Sequence, residues 1–102
     1  MTFEKLVRDK IPASIEAQGK KPVFRVLEGA EYAEALERKL DEEVREYHSD
    51  KNLEELADIL EVLYALTESL GYSKEQLMEA YEKKHTERGG FRNRIFLLSN
   101  DG

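Results

Sequence analysis

Two groups of acidic residues flank a short polar break near the middle of the chain. The break spans residues 48–52, and the acids on either side of it are Glu42, Glu43, Glu46, Glu54, Glu55 and Asp58. On both sides, apolar residues recur every three or four positions, which is the period of an α-helix. So short a connection predicts two antiparallel helices that pack side by side.

On a helical wheel, the carboxylates of both predicted helices extend to the margins of the apolar faces. Glu43 lies about 20° outside the apolar arc of the first helix, and Glu55 lies inside the arc of the second. Glu46 and Asp58 each follow three residues later, which makes them surface neighbours of Glu43 and Glu55. We therefore expect these four carboxylates to converge where the two helices pack.

Four converging carboxylates indicate a cation site. Like charges a few Å apart repel strongly away from water, so such a group requires a cation or protons. The chain contains no cysteine, and oxygen ligands favour Mg²⁺, or Mn²⁺, over zinc. The ordinary alternative is a solvated helix surface, because glutamate is a strong helix former.

The acidic pairs also resemble a known motif. Glu-x-x-Glu followed by Glu-x-x-Asp is similar to the pattern of the MazG-like, all-α nucleoside triphosphate pyrophosphohydrolases, in particular their small single-domain, phosphoribosyl-ATP pyrophosphohydrolase-like branch. The segments that carry the resemblance are KLVRDKIP (5–12), KLDEEVREY (39–47), NLEELADILEVLYAL (52–66) and ERGGF (87–91). The gap between Glu46 and Glu55 is shorter than is usual in that superfamily.

The resemblance implies a Mg²⁺-dependent enzyme that cleaves a nucleoside triphosphate to the monophosphate and pyrophosphate. A noncanonical nucleotide is the expected substrate, in a house-cleaning role, with an ordinary dNTP or phosphoribosyl-ATP as alternatives. Glu43 and Glu46 are the candidate general bases toward the attacking water. Two non-enzymatic alternatives stay open, a dimeric helical interaction module and a nucleotide sensor that binds without turnover.

The distribution of charge suits a polyphosphate substrate. The net charge is −6, yet residues 28–82 hold 17 of the 22 acids and both ends are basic. Basic side chains would neutralise the β- and γ-phosphates, and the predicted substrate-binding residues are Arg8, Lys10, Lys39, Lys84 and Arg88. Bases near the end of the last helix would also complement its dipole, which is an alternative explanation for them. The acidic centre does not favour nucleic acid as a partner.

The remaining pattern predicts an all-α bundle. Long helices are expected at 30–48, 53–70 and 73–88, and a short helix is expected after Pro12, with a two-stranded ribbon from residues 23–27 and 95–98.

The length of 102 residues predicts one domain over residues 1–102, with a modest core that oligomerisation completes. The apolar arc of the second long helix is wider than half a turn, which predicts a homodimer or homotetramer. The chain has no long apolar run, its N-terminal stretch is charged and it lacks cysteine. We therefore expect no membrane partner and a cytoplasmic location.

Overall fold

Four helices make up the regular structure of residues 4–101. The computed structural model describes residues 4–101 and is all-α over that range, which confirms the predicted fold class. The helices in chain order are α1 (Ile11–Ala17), α2 (Gly29–Asp50), α3 (Leu53–Ser69) and α4 (Lys74–Arg88). Within residues 4–101, no helix is both long and apolar enough to cross a membrane.

The turn between α2 and α3 is formed by two residues with local stop and start signals. Lys51 adopts a left-handed conformation with φ of 50°, and its N–H donates to the Tyr47 carbonyl at 2.7 Å. Asn52 then caps α3, because its side-chain oxygen accepts the Glu55 N–H at 3.0 Å. Ending one helix and capping the next satisfies backbone groups that would otherwise lack partners. The two helices consequently pack together as the predicted hairpin.

The apolar contact between α2 and α3 forms the core. Among the described residues, the buried apolar side chains are Leu36 of α2 and Val62 of α3, which are 3% and 6% exposed. The half-buried residues around them come from the same two helix faces, and they include Leu40, Val44, Tyr47, Ile59 and Leu66. The core is therefore a narrow strip along one helix pair.

Helix α4 has strong capping signals but few tertiary contacts. Ser73 and Gln76 form a capping box at its start, and Gly89 ends it with φ of 79°. The sequence predicts both features from residue type and spacing alone. Within α4, every residue of which is described, Leu77 alone is half-buried and the others are exposed. The described chain is correspondingly elongated, with principal extents of 64 × 31 × 22 Å.

The predicted two-stranded ribbon is not formed. No residue in the range 4–101 is assigned to a strand, and residues 23–27 and 95–98 are both non-helical and irregular. Apart from the half-buried Leu27, their apolar side chains are exposed, with Val23 99% and Phe96 86% exposed. An isolated pair of strands is marginally stable in water unless one face packs on something else. The high β-propensity of these two segments is therefore insufficient to form a ribbon, because the ribbon would have no surface to pack against.

Candidate functional site

The acidic residues of α2 and α3 lie along the contact between the two helices. Glu43 is 6% exposed, on the same side of α2 as the buried Leu36. Glu55 and Asp58 of α3 are half-buried, and Glu46 of α2 is exposed. The packing of α2 against α3 thus draws the carboxylates inward to different depths.

Two overlapping groups of carboxylates result from this packing. Oxygen atoms of Glu43, Glu55 and Asp58 all lie within 4.8 Å of one another, which joins α2 to α3. A second group on α2 brings Glu43 together with Glu42 and Glu46 at the same spacing. Glu43 belongs to both groups, whereas Glu46 lies at the outer, solvent-exposed side. Three of the four predicted ligands therefore form an inner group, which we call the acidic triad (Glu43, Glu55, Asp58). Glu46 lies beside the triad, because it belongs to the second group, which also contains Glu43.

Two oxygens of the acidic triad are buried without a hydrogen-bond partner. Within the described part of the chain, these atoms are Oε2 of Glu43 and Oε2 of Glu55. A buried polar atom that lacks a partner costs free energy, and a buried charge costs more. A bound cation or a bound proton would remove that cost. These two oxygens are therefore the atoms of the triad that lack a partner and could bind a cation or a proton.

The surroundings of the triad favour the protonated form of two of its members. Burial raises the pKa of Glu43, and the nearby charges of Glu46 and Asp58 raise it further, although Lys39 acts in the opposite direction. Burial likewise raises the pKa of Glu55, and four neighbouring carboxylates add to the effect. Both shifts follow from bringing like charges together away from water.

These two raised pKa values predict that the metal-free protein loses stability as the pH rises. The folded state holds protons on Glu43 and Glu55 that the unfolded chain, with the ordinary pKa of 4.5, has released. Their contribution is therefore complete below pH 4.5 and is lost as the pH rises through the folded pKa values. Urea unfolding in EDTA, at a series of pH values between about 4.5 and 7.5, should show this decline.

The control for the pH series is the double variant Glu43→Gln, Glu55→Gln, which cannot release these protons. Glu42 does not affect the comparison of the two pH profiles. Burial raises the pKa of Glu42, but hydrogen bonds from Lys5 and Lys39 lower it below the ordinary value overall. Its contribution is lost only as the pH falls below the ordinary value. Identical pH profiles for the double variant and the parent chain would show that the triad does not hold these protons.

Three basic side chains pair with the acidic residues. Lys39 lies 3.2 Å from both Glu42 Oε2 and Glu43 Oε1 on its own helix. Burial lowers the pKa of Lys39, but its hydrogen bonds to these two glutamates raise it above the ordinary value overall. From the segment before α1, Lys5 donates to Glu42 at 3.1 Å and Arg8 donates to Asp58 at 2.7 Å. The N-terminal segment is therefore fastened to both helices of the hairpin.

Glu42 and Lys5 are the members of this network that the sequence reasoning missed. On a helical wheel, Glu42 points away from the apolar face, so its position on the wheel predicts no role for it. Lys39 lies three and four residues before Glu42 and Glu43, a spacing that allows ion pairs within one helix. That spacing was an available signal for Glu42. Lys5 carries no comparable signal, because its partner is 37 positions away in the chain.

The Arg8 contact predicts a modest competition with metal binding. The pair is partly exposed on both sides, and exposed ion pairs contribute about 0–1 kcal/mol. Replacing Arg8 by glutamine frees an Asp58 oxygen, so we expect Mn²⁺ to bind up to about fivefold more tightly. Calorimetric titration with Mn²⁺ measures this, and Lys10→Gln is the control because it removes one charge from the same segment. Equal affinities for the two variants would contradict a specific role of the Arg8–Asp58 pair.

The other predicted substrate-binding residues take no part in these ion pairs. Among residues 4–101, no ion pair joins Lys10, Lys84 or Arg88 to the acidic residues, and all three are exposed. Arg88 lines a cavity of about 420 Å³ at the end of α4, together with His85, Gly89, Gly90, Phe91, Arg92, Asn93, Arg94 and Ile95. Arginine side chains bind phosphate through paired N–H groups. The end of α4 therefore presents a concave, basic surface that an anion could occupy.

Comparison with known proteins adds one partial likeness. A protein from Mycolicibacterium smegmatis, described as an uncharacterized protein, is 58% identical over 41 residues. That stretch is 40% of this chain and spans about two-fifths, 42%, of the relative. No family model matches the chain, and no solved structure matches it significantly. Membership of the MazG-like family therefore stays a prediction from the motifs.

Proposed function

We propose that this chain is a Mg²⁺-dependent nucleotide pyrophosphohydrolase. It cleaves a nucleoside triphosphate, a noncanonical one in the expected house-cleaning role, to the monophosphate and pyrophosphate. The class of reaction comes from the resemblance of the acidic motif, KLVRDKIP and ERGGF to MazG-like enzymes. The observation that carries the proposal is the acidic triad, in which three carboxylates meet and two buried oxygens lack hydrogen-bond partners.

The composition of the triad suits a small, hard cation. All its donors are carboxylate oxygens, which Mg²⁺ and Mn²⁺ prefer, and Glu46 offers a further oxygen at the exposed edge. We assign Glu43, Glu46, Glu55 and Asp58 as the residues that would hold the ion. When bound, such an ion supplies Lewis-acid chemistry and lowers the pKa of a water molecule.

The depths of the two candidate bases suggest how their roles divide. Glu43 is buried, and its Oε1 is held by Lys39. Glu46 is exposed and its carboxylate belongs to the same acidic group, so it can accept a proton from a water molecule at the edge of the site. We therefore propose Glu46 as the general base, with Glu43 as a ligand that also anchors Lys39.

The basic residues of both ends would bind the phosphates. Arg88 lies in a cavity with two further arginines, Arg92 and Arg94, and it follows Lys84 on α4. Lys39, Arg8 and Lys10 would contribute from the side of the acidic triad. Positive charge at these places stabilises the negative charge of a triphosphate and of the pyrophosphate leaving group.

Pyrophosphate release tests the proposal directly. The purified chain is incubated with Mg²⁺ and, in separate reactions, ordinary NTPs, dNTPs, modified NTPs and phosphoribosyl-ATP. We expect release from at least one triphosphate that stops when EDTA is added, and the preferred substrate identifies the branch of the family. Saturable binding of a nucleotide without release would favour the sensor, and neither binding nor release would contradict the proposal.

A non-catalytic helical module is the second candidate. It is favoured by the four ion pairs that Lys5, Arg8 and Lys39 make with the carboxylates, because those cations partly neutralise the cluster without a metal. It leaves the two buried, unpaired oxygens unexplained. The Mg²⁺ dependence of stability, described in the Discussion, separates the two candidates.

We further propose that residues 1–102 form a single MazG-like domain that acts in the cytoplasm as a homodimer or homotetramer. The support for an oligomer is the thin core of the described chain, in which apolar burial is confined to one strip between α2 and α3.

A further inference from the structure

The chain makes a tight turn directly after α4. The Gly89 N–H donates to the His85 carbonyl at 2.8 Å where the helix ends. Three residues further on, the Arg94 N–H donates to the Phe91 carbonyl at 3.0 Å, and Arg94 adopts a left-handed conformation with φ of 55°. The end of α4 and this turn together line the cavity of about 420 Å³ described above.

His85 connects the helix to the turn on the inner side of the cavity. Its ring lies 5.8 Å from the ring of Tyr81, one helical turn earlier. A Cβ atom on Gly90 would lie 3.3 Å from His85 Nε2, which is closer than an ordinary contact. The absence of a side chain at Gly90 therefore lets the backbone pass against the imidazole. The position of the turn relative to α4 is defined by these contacts.

An exposed aromatic ring and three arginines line this cavity. Phe91 is 96% exposed, and the arginines are Arg88, Arg92 and Arg94. Among the described residues that line the cavity, none is acidic. Guanidinium groups bind phosphate, and an aromatic ring offers a flat face on which a nucleobase stacks. The cavity volume also lies within the usual range for small-molecule sites.

We propose that Phe91 is the platform on which the nucleobase of the substrate stacks. This inference rests on the proposed function, because it takes the ligand to be a nucleotide whose phosphates bind the arginines. Stacking tolerates different bases, because every base has a π-face. Asn93 lines the same cavity, and its amide can both donate to and accept from a base edge. The substrate class is therefore purine and pyrimidine nucleoside triphosphates together, not a single base.

Replacing Phe91 by alanine separates base binding from phosphate binding. Binding is measured by calorimetry in EDTA, with ATP and with tripolyphosphate, which has the phosphates and no base. We expect Phe91→Ala to weaken ATP binding about tenfold and to leave tripolyphosphate binding within about twofold of the parent chain. Phe96→Ala is the matched control, because Phe96 is an equally open aromatic residue of the same segment that lies outside the cavity. It should leave the binding of both ligands unchanged.

Single tryptophans give a second, spectroscopic readout, because the natural chain contains no tryptophan. A stacked base should quench the fluorescence of the Phe91→Trp variant, and the quenching should saturate with either ATP or CTP. Tripolyphosphate should not quench it, and neither nucleotide should quench the Phe96→Trp variant. Quenching by only one of the two nucleotides would overturn the tolerance for different bases.

The two ligands also separate the failure of this inference from the failure of the enzymatic proposal. Equal losses of ATP and tripolyphosphate binding in Phe91→Ala would show that Phe91 only shapes the turn, and this would overturn the platform. An unchanged ATP affinity, or the same loss in Phe96→Ala, would overturn it as well. If the expected binding pattern is found but no triphosphate is cleaved with Mg²⁺, the base platform is supported and the proposed hydrolase activity is contradicted.

Discussion

Replacing Glu55 by glutamine is expected to reduce Mg²⁺-dependent pyrophosphate release by about 10²-fold or more. The substitution keeps the shape of the side chain and removes one charge from the acidic triad. Glu55 contributes one of the two buried, unpaired oxygens, so a neutral amide there weakens the hold on a cation more than a change at the surface would. Steady-state release of pyrophosphate at saturating nucleotide measures the effect.

The neighbouring residue supplies the control for this experiment. Glu54→Gln removes the same charge one position earlier, on the exposed face of α3, and should leave turnover within about twofold of the parent chain. The metal-free stability of Glu55→Gln should exceed that of the parent, because repulsion among the carboxylates is relieved. Equal activities of the two variants would show that Glu55 is an ordinary surface glutamate.

Saturation with Mg²⁺ is expected to raise the melting temperature by about 10 °C or more. A ligand that binds only the folded state at about one hundred times its Kd contributes about 2.7 kcal/mol. In a chain of about 100 residues, each kcal/mol raises Tm by at least about 4 °C. The carboxylates of the triad converge only when α2 and α3 are packed, so the unfolded chain should bind the ion far more weakly. A thermal melt followed by circular dichroism measures the shift.

A double variant and a salt control make this result specific. The double variant Glu43→Gln, Asp58→Asn should lose the Mg²⁺-dependent shift while keeping the helical spectrum, because it removes one carboxylate from each helix. NaCl at equal ionic strength should shift the parent chain much less, since it only screens charge. A shift of the same size in the double variant would place the ion elsewhere and favour the non-catalytic module.

The helices of this protein are largely determined by local sequence. The apolar period, Asn52 at the start of α3, and the capping box of Ser73 and Gln76 are all readable within a few residues. These signals predict the helical hairpin, and the wheel positions of Glu43 and Glu55 predict acidic side chains at its packed face. Such features are predictable because caps and periodicity act over one or two helical turns.

Tertiary packing decided the features that depend on distant segments or on depth of burial. The pairing of Arg8 with Asp58 joins residues 50 positions apart, and no short-range pattern encodes it. The sequence predicts that Glu43 and Glu46 both converge on the cation site, but the packing of α2 on α3 buries Glu43 and leaves Glu46 exposed. The segments at 23–27 and 95–98 have β-propensity, yet they meet no surface that would make a ribbon stable. Residue type and spacing set which groups could act, and packing between distant parts of the chain set which of them lose water and meet.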